Sequence, residues 1–317
     1  MGQQDQYNHE TGNPIEVDIQ IDLDWLRQSQ PLMLALPTVS LFVPQHITVE
    51  SNTARTCLTT YPAQPAYRLG KHFEDCVEQL FNASKDNNII ARNLVIQTPE
   101  RTLGELDLIY ENSEREIVHL ELSIKFYLLN KAGTKLEDFV GPAGRDRLDL
   151  KWDRLCQHQL PLSRTESVLD FLAHQHLPLP SRRQLLLTGM LFYAYENWQS
   201  TLVNHVGINP NHQRGFWLEH HELEQIKPID GLERGFIILP KWHWIGGPNH
   251  YSHPNPINYQ TLIEQTTADS WPNMVLVYER AHTLHIHDAD ETDKAVKPWV
   301  FQHRGLILAT KKPPLVT

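Results

Sequence analysis

The rhythm of apolar and polar positions changes several times along the chain, and each change marks an expected element. Over Tyr67–Asn82 (YRLGKHFEDCVEQLFN) the apolar residues Leu69, Phe73, Val77, Leu80 and Phe81 recur every three or four positions, which is the period of an amphipathic helix. Asn87 and Asn88 break it. Three strand-like runs follow at Ile89–Gln97, Leu103–Tyr110 and Ile117–Leu128, and the polar turn Glu111–Arg115 predicts that the second and third form a hairpin. Beyond the loop Gly133–Gly144, helices are predicted over Asp146–Leu160 and Glu166–His176. Gln184–Tyr193 (QLLLTGMLFY) is apolar almost throughout, as a strand buried on both faces should be. The order helix, three strands, helices, strand predicts a mixed sheet with helices on its faces.

The flanks are less regular. A short helix is expected at Asp24–Gln30, and residues 51–66, rich in Ser, Thr and Pro, read as a linker. Short strands are expected at Gly215–Leu218, Gly235–Leu239, Met274–Tyr278 and Trp299–Leu308. The expected organisation is therefore an N-terminal extension and linker over 1–65, a core over 66–193 and an accessory α+β region over 194–317.

Composition narrows the function classes. With 317 residues, 40% of them hydrophobic and 21% charged, the chain has material for a substantial core and is neither disordered nor fibrous. Its net charge of −10 argues against a protein that coats nucleic acid by bulk charge. That charge is uneven: residues 1–24 hold six acids and no Lys or Arg, while residues 294–317 hold five bases and no acid. A local cationic groove, or a carboxylate cluster that accepts an anion once a metal binds, stays compatible with this balance. Cys57, Cys76 and Cys156 are widely spaced, with no CxxC pair, so neither a disulfide framework nor zinc binding through thiolates is expected. The opening residues show no signal-peptide pattern, and no apolar run is long enough to span a bilayer. A soluble cytoplasmic protein with no membrane partner is the expectation.

The chemistry concentrates at 103–127. In LGELDLIY, Glu105 and Asp107 share one strand face, and in VHLELSIKFY, Glu121, Ser123 and Lys125 share another. Pairing the two strands puts Asp107 beside Glu121 with Lys125 close by. Such a group is either a surface pair with ordinary Glu–Lys contacts or a site for a hard divalent cation, which takes oxygen ligands of this kind. Glu74, on the preceding helix, is placed to add a third acid.

These residues also carry a resemblance. Gly104-Glu105-Leu106-Asp107-Leu108-Ile109, a hairpin turn and an apolar strand ending in lysine are similar to the PD-(D/E)XK nuclease superfamily, notably its Holliday-junction-resolvase-like members. More closely, Leu69-Gly70-Lys71-His72-Phe73-Glu74, Thr102–Asp107, His119–Leu128, Gly141-Pro142, Asp146-Arg147-Leu148 and Lys151 with Gln159-Leu160 resemble a bacterial family known as domain of unknown function 1853. The resemblance implies an α/β fold: a restriction-endonuclease-like core with a central mixed sheet flanked by helices, plus a C-terminal α+β extension. It further implies a metal-dependent nuclease that hydrolyses phosphodiester bonds in DNA or RNA with Mg²⁺ or Mn²⁺. Asp107, Glu121 and Glu74 would be metal ligands and Lys125 the catalytic lysine. The alternative is an inactive nuclease-like module that binds nucleic acid or a protein partner. The superfamily places an acid two residues before the lysine. Here that position is Ser123, and Glu121 stands four residues before Lys125, roughly 6–7 Å further along the strand.

Arg147, Lys151 and Arg154 form a helical stripe, with Gln159 on the following turn. They read either as phosphate contacts or, mixed with Asp146, Asp149 and Asp153, as a solvated face. His282, His285 and His287 with Asp288 have metal-ligand chemistry, although surface histidines explain them as well. Trp198, Trp217, Trp242 and Trp244 are expected to fill a core rather than to stack on bases. No P-loop, G-x-G-x-x-G or HExxH motif occurs, which removes the ATPase, dinucleotide and zinc-protease classes.

Overall fold

In the computed structural model, the described residues are 15–48, 58–61, 69–98, 101–130, 133–201, 207–266, 272–281 and 298–309. The cluster His282, His285, His287 and Asp288 lies outside them, as does most of the expected linker. Two compact units divide the chain. The first takes the described residues of Met1–Lys125, Lys151–Gly189 and Gly207–His212, and the second those of Phe126–Leu150, Met190–Val206 and Gln213–Thr317. The interval 66–193 thus contributes to both.

The first unit opens with strand β1 (Ile15–Asp18), helix α1 (Ile19–Gln28) and the short strands β2 (Ser40–Leu41) and β3 (Leu58–Tyr61). Helix α1 begins earlier than the expected Asp24 because Asp22, an acid, occupies a buried position among Ile19, Leu23, Trp25 and Leu26, which hides the apolar period. Helix α2 (Leu69–Asn82) buries Phe73, Val77, Leu80 and Phe81, as the periodicity predicts. Strands β4 (Asn88–Gln97), β5 (Thr102–Glu111) and β6 (Ile117–Leu129) follow, each neighbouring pair antiparallel. The expected hairpin is therefore present.

The predicted helix over Asp146–Leu160 is three pieces: α3 (Leu148–Arg154), a π-helical turn over Leu155–Gln159 and α4 (Leu160–Leu162). Helix α5 (Glu166–His174) leads to strand β8 (Arg182–Ala194); the two-residue β7 (Phe139–Val140) precedes α3. Strand β8 runs parallel to β6. Ser181 N–H donates to Ile117 O, and Gly189 lies against the Lys125 carbonyl, so the sequence offset is the same at both ends. Strand β2 pairs with β8 in parallel, giving the first unit a mixed sheet.

Helices pack on both faces of that sheet. Tyr110 of β5 makes an edge contact with Phe81 of α2 at 4.7 Å between centroids. Its neighbour Ile109 joins a buried cluster with Val168 and Leu172 of α5. Successive strand residues point to opposite faces, so α2 and α5 lie on opposite sides. The fused apolar layers supply the main stabilisation, at about 25 cal/mol per Å² of apolar surface buried.

The strand pairing within the second unit is mixed as well. The Met190–Ala194 end of β8 pairs in parallel with β9 (Gln213–Glu219), and β9 pairs in parallel with β12 (Val300–Leu308). Strands β11 (Asn273–Ala281) and β10 (Leu232–Leu239) continue it antiparallel. Phe216, Phe236, Val275, Val277 and Ile307 form its core with Leu262 of helix α6 (Tyr259–Gln265). Trp217 and Trp244 are buried as expected, and Trp198 packs against that core, while Trp242 is exposed. Among the described residues, no helix is long and apolar enough to cross a membrane.

Candidate metal and acid site

The site grows out of the place where β5 and β6 stop sharing a ladder. Their paired register runs from Glu111↔Ile117 to Leu108↔Leu120. One residue further, the Asp107 side chain takes over: its Oδ2 accepts the Leu122 N–H at 2.8 Å. A carboxylate thus replaces a backbone carbonyl as acceptor, which satisfies a half-buried donor and pins Asp107 over β6.

Glu121 is fully buried and held at both oxygens. His119 Nε2 lies 2.8 Å from Oε1, and the Gln159 Nε2 amide donates to Oε2 at 2.7 Å. His119 is in turn fixed by Ser163 Oγ, 2.9 Å from its Nδ1. Each carboxylate oxygen has more than one acceptor position, so these contacts orient Glu121 without exhausting it.

Two lysines complete the group. Lys125 is half-buried at the end of the β6 segment within this unit. Gly189 of β8 holds a positive φ of 131° there, and a Cβ would overlap the Lys125 carbonyl oxygen. Only glycine lets the two backbones meet this closely. Lys151 donates to Gln159 Oε1 at 3.2 Å. Burial, then the nearby Lys125, lowers its pKa, against the pull of Glu121 and Asp107. Positions eight apart on a regular α-helix point about 80° away from each other. The wider π turn takes up that angle and brings Gln159 round to Lys151.

Electrostatics single out Asp107. Burial, and next the Glu121 charge, push its carboxyl up to about 7, while the Leu122 N–H pulls it down; Glu74 and Glu105 add to the rise. Two carboxylates that repel each other in a half-dry site are what a divalent cation relieves.

The structure therefore brings together Asp107, Glu121, Lys125, Lys151 and Gln159. Glu74 is a different case. Its Oε2 accepts from Asn93 Nδ2 at 2.9 Å and lies 3.4 Å from Lys71 Nζ, so it reaches Asp107 as a charge and not as a member of a three-donor cluster. Asn93 is opposite Asp107 in the β4–β5 register, between the pairs Arg92↔Leu108 and Leu94↔Leu106. Its φ of 48° aims the amide at Glu74, a conformation that asparagine tolerates better than most residues. Arg147 belongs to the second unit and forks onto Asp149 at 2.9 and 2.6 Å. Within the expected stripe, Lys151 bonds Gln159 in the site, Arg147 is paired with Asp149 and Arg154 is exposed.

Sequence reasoning missed His119, Ser163 and Asn93. The signal for His119 was present, since it stands two residues before Glu121 on the same strand face. Ser163 needed the tertiary fold. A separate cluster was also missed: Asp22, His72 and Cys76, all buried, bring their donor atoms within 4.8 Å of one another. Burial and the charge of Asp22 push the Cys76 thiol well above its ordinary range.

In comparison with known proteins, the family profile described as domain of unknown function (DUF1853) matches residues 21–295. No curated protein and no solved structure matches the chain.

Proposed function

Since the chain belongs to the DUF1853 family, whose description specifies no activity, we propose from the site itself that it is a metal-dependent nuclease with a PD-(D/E)XK-like, restriction-endonuclease-like core, acting on DNA first and RNA second. The observation that carries this reading is the Asp107–Glu121 pair, set beside Lys125 and Lys151 where β5 and β6 part. The order α2, β4, β5, β6, α3–α5, β8 supports it.

The residues fit the cation that such chemistry uses. Asp107 and Glu121 offer hard oxygen donors, and burial, with the Glu121 charge next, raises Asp107 to about 7. They are the residues that would hold Mg²⁺ or Mn²⁺. When bound, such an ion supplies charge neutralisation at the phosphate and a more acidic water. The chain's own groups do the rest. His119 and Gln159 keep the Glu121 carboxylate from swinging away. Lys125 stabilises negative charge that develops on a phosphate oxygen. Lys151, tied to Gln159, gives the anionic substrate a second cation in a half-dry setting.

The test is incubation of the full chain with single-stranded, double-stranded and branched DNA, and with RNA, in Mn²⁺ or Mg²⁺. Cleavage that disappears on chelation and in Asp107→Ala and Lys125→Ala supports the reading. Cleavage that survives both substitutions overturns it. Tight binding with no cleavage by the wild type favours the inactive, nucleic-acid-binding alternative.

A further inference from the structure

We propose that Asp22, His72 and Cys76 supply three of the four ligands of a structural zinc ion that fastens α1 to α2. This inference is independent of the nuclease reading. The three side chains come from two packed helices. Asp22 lies on the buried face of α1, and His72 and Cys76 lie one turn apart on α2. An i, i+4 pair on a helix presents both donors to the same side. Their exposures are 0%, 1% and 0%.

The geometry of the donors is the main argument. Asp22 Oδ2 is 2.8 Å from His72 Nε2, and Cys76 Sγ is 3.8 Å from the same Nε2. A catalytic relay of thiol, imidazole and carboxylate uses the two ring nitrogens separately. Here oxygen and sulfur converge on one nitrogen, and burial denies a substrate access. The 2.8 Å contact fits a buried His–Asp pair, and the i, i+4 spacing on α2 adds the sulfur as a third donor on the same side. Convergence is what a cation requires. With Zn–N near 2.0–2.1 Å, Zn–O near 2.0–2.2 Å and Zn–S near 2.3 Å, tetrahedral ligand atoms stand roughly 3.3–3.6 Å apart. The two separations from His72 Nε2 bracket that range, and all three donor atoms lie within 4.8 Å of one another.

Donor chemistry selects the metal. A thiolate with an imidazole suits zinc and disfavours Mg²⁺ or Mn²⁺, which prefer all-oxygen sets. A thiolate and a carboxylate together also carry the charge that one Zn²⁺ neutralises in a buried setting. The consequence is structural. Helix α2 carries Glu74, and anchoring it to α1 fixes the helix beside the sheet as the chain folds.

The experiment uses the full chain. Metal content after chelator-buffered zinc loading and desalting should be about one zinc per chain, and Asp107→Ala should retain it. Cobalt substitution should give a thiolate-to-cobalt charge-transfer band in the wild type. Cys76→Ser and His72→Gln should weaken zinc affinity by at least the roughly 10–100-fold seen when an outer-shell partner is lost, and Cys76→Ser should lack the band. A wild type that takes up no zinc, or cobalt-loaded wild type without a thiolate band, overturns the proposal. So does zinc that is lost on Asp107→Ala but kept by Cys76→Ser. The wild-type cobalt spectrum decides the matter even where a variant does not fold.

Discussion

The His119 ring nitrogen Nε2 lies 2.8 Å from Glu121 Oε1, two residues further along the same strand, and neither side chain is exposed. Such a pair is costly to break, because a buried carboxylate that loses a partner retains its desolvation penalty.

His119→Ala should therefore destabilise the fold by about 1–3 kcal/mol, read from denaturant midpoints. His119→Gln, which keeps a donor, should recover part of the loss. Equal midpoints for both variants and the wild type would show that the contact contributes nothing.

Asp107 should make stability, and under the proposed reading metal affinity, depend on pH. Its carboxyl titrates at about 7 in the folded chain against an ordinary 3.8. The folded state holds the extra proton between those values, so this contribution to stability is full below pH 3.8 and is lost as pH rises through about 7. Cation and proton compete for the same oxygen. Mn²⁺ should accordingly raise the melting temperature at pH 8 and have little effect at pH 5. Asp107→Asn should flatten both dependences, and calorimetry across that range checks this.

Gly189→Ala should be disproportionately harmful. The residue combines a positive φ with contact at the Lys125 carbonyl. The backbone strain alone costs about 1–3 kcal/mol, and displacement of β6 would move Lys125. A thermal melt together with cleavage kinetics should show losses in both stability and rate. Gly231, with a φ of 83° but open space around it, is the control for φ strain without a clash.

The π turn predicts a tolerated deletion. Removing the exposed Gln157 leaves the present Gln159 seven residues after Lys151, and positions seven apart on an α-helix lie almost in line. Helical content by circular dichroism should persist, and so should cleavage. Loss of both on deletion would show that the extra residue is needed for packing.

How much of this was legible varies with the kind of signal. Helix α2 and strands β4, β5, β6 and β8 follow apolar periods that local residues set, and the α/β order follows from them. The start of α1 was hidden because buried Asp22 interrupts its apolar face. The π turn was hidden because Leu155–Gln159 differs from an α-helical sequence in no compositional way. At the site, Asp107, Glu121 and Lys125 were readable as same-face strand residues. The approach of Lys151 depended on the π turn, and the pairing of Arg147 with Asp149 is a local choice that a stripe pattern does not reveal. His72 and Cys76 stand one turn apart and were visible in principle. Asp22, 50 positions before His72, joins them only through helix packing.

The Leu122 N–H that donates to Asp107 Oδ2 is a backbone amide bonded to a titrating side chain that the proposed reading makes a cation ligand. Its proton resonance and its exchange rate with solvent deuterium are thus coupled to the ionisation of that one carboxyl. In ¹⁵N-labelled protein, this single amide can serve as a spectroscopic gauge of the site, reporting charge and occupancy without any substrate.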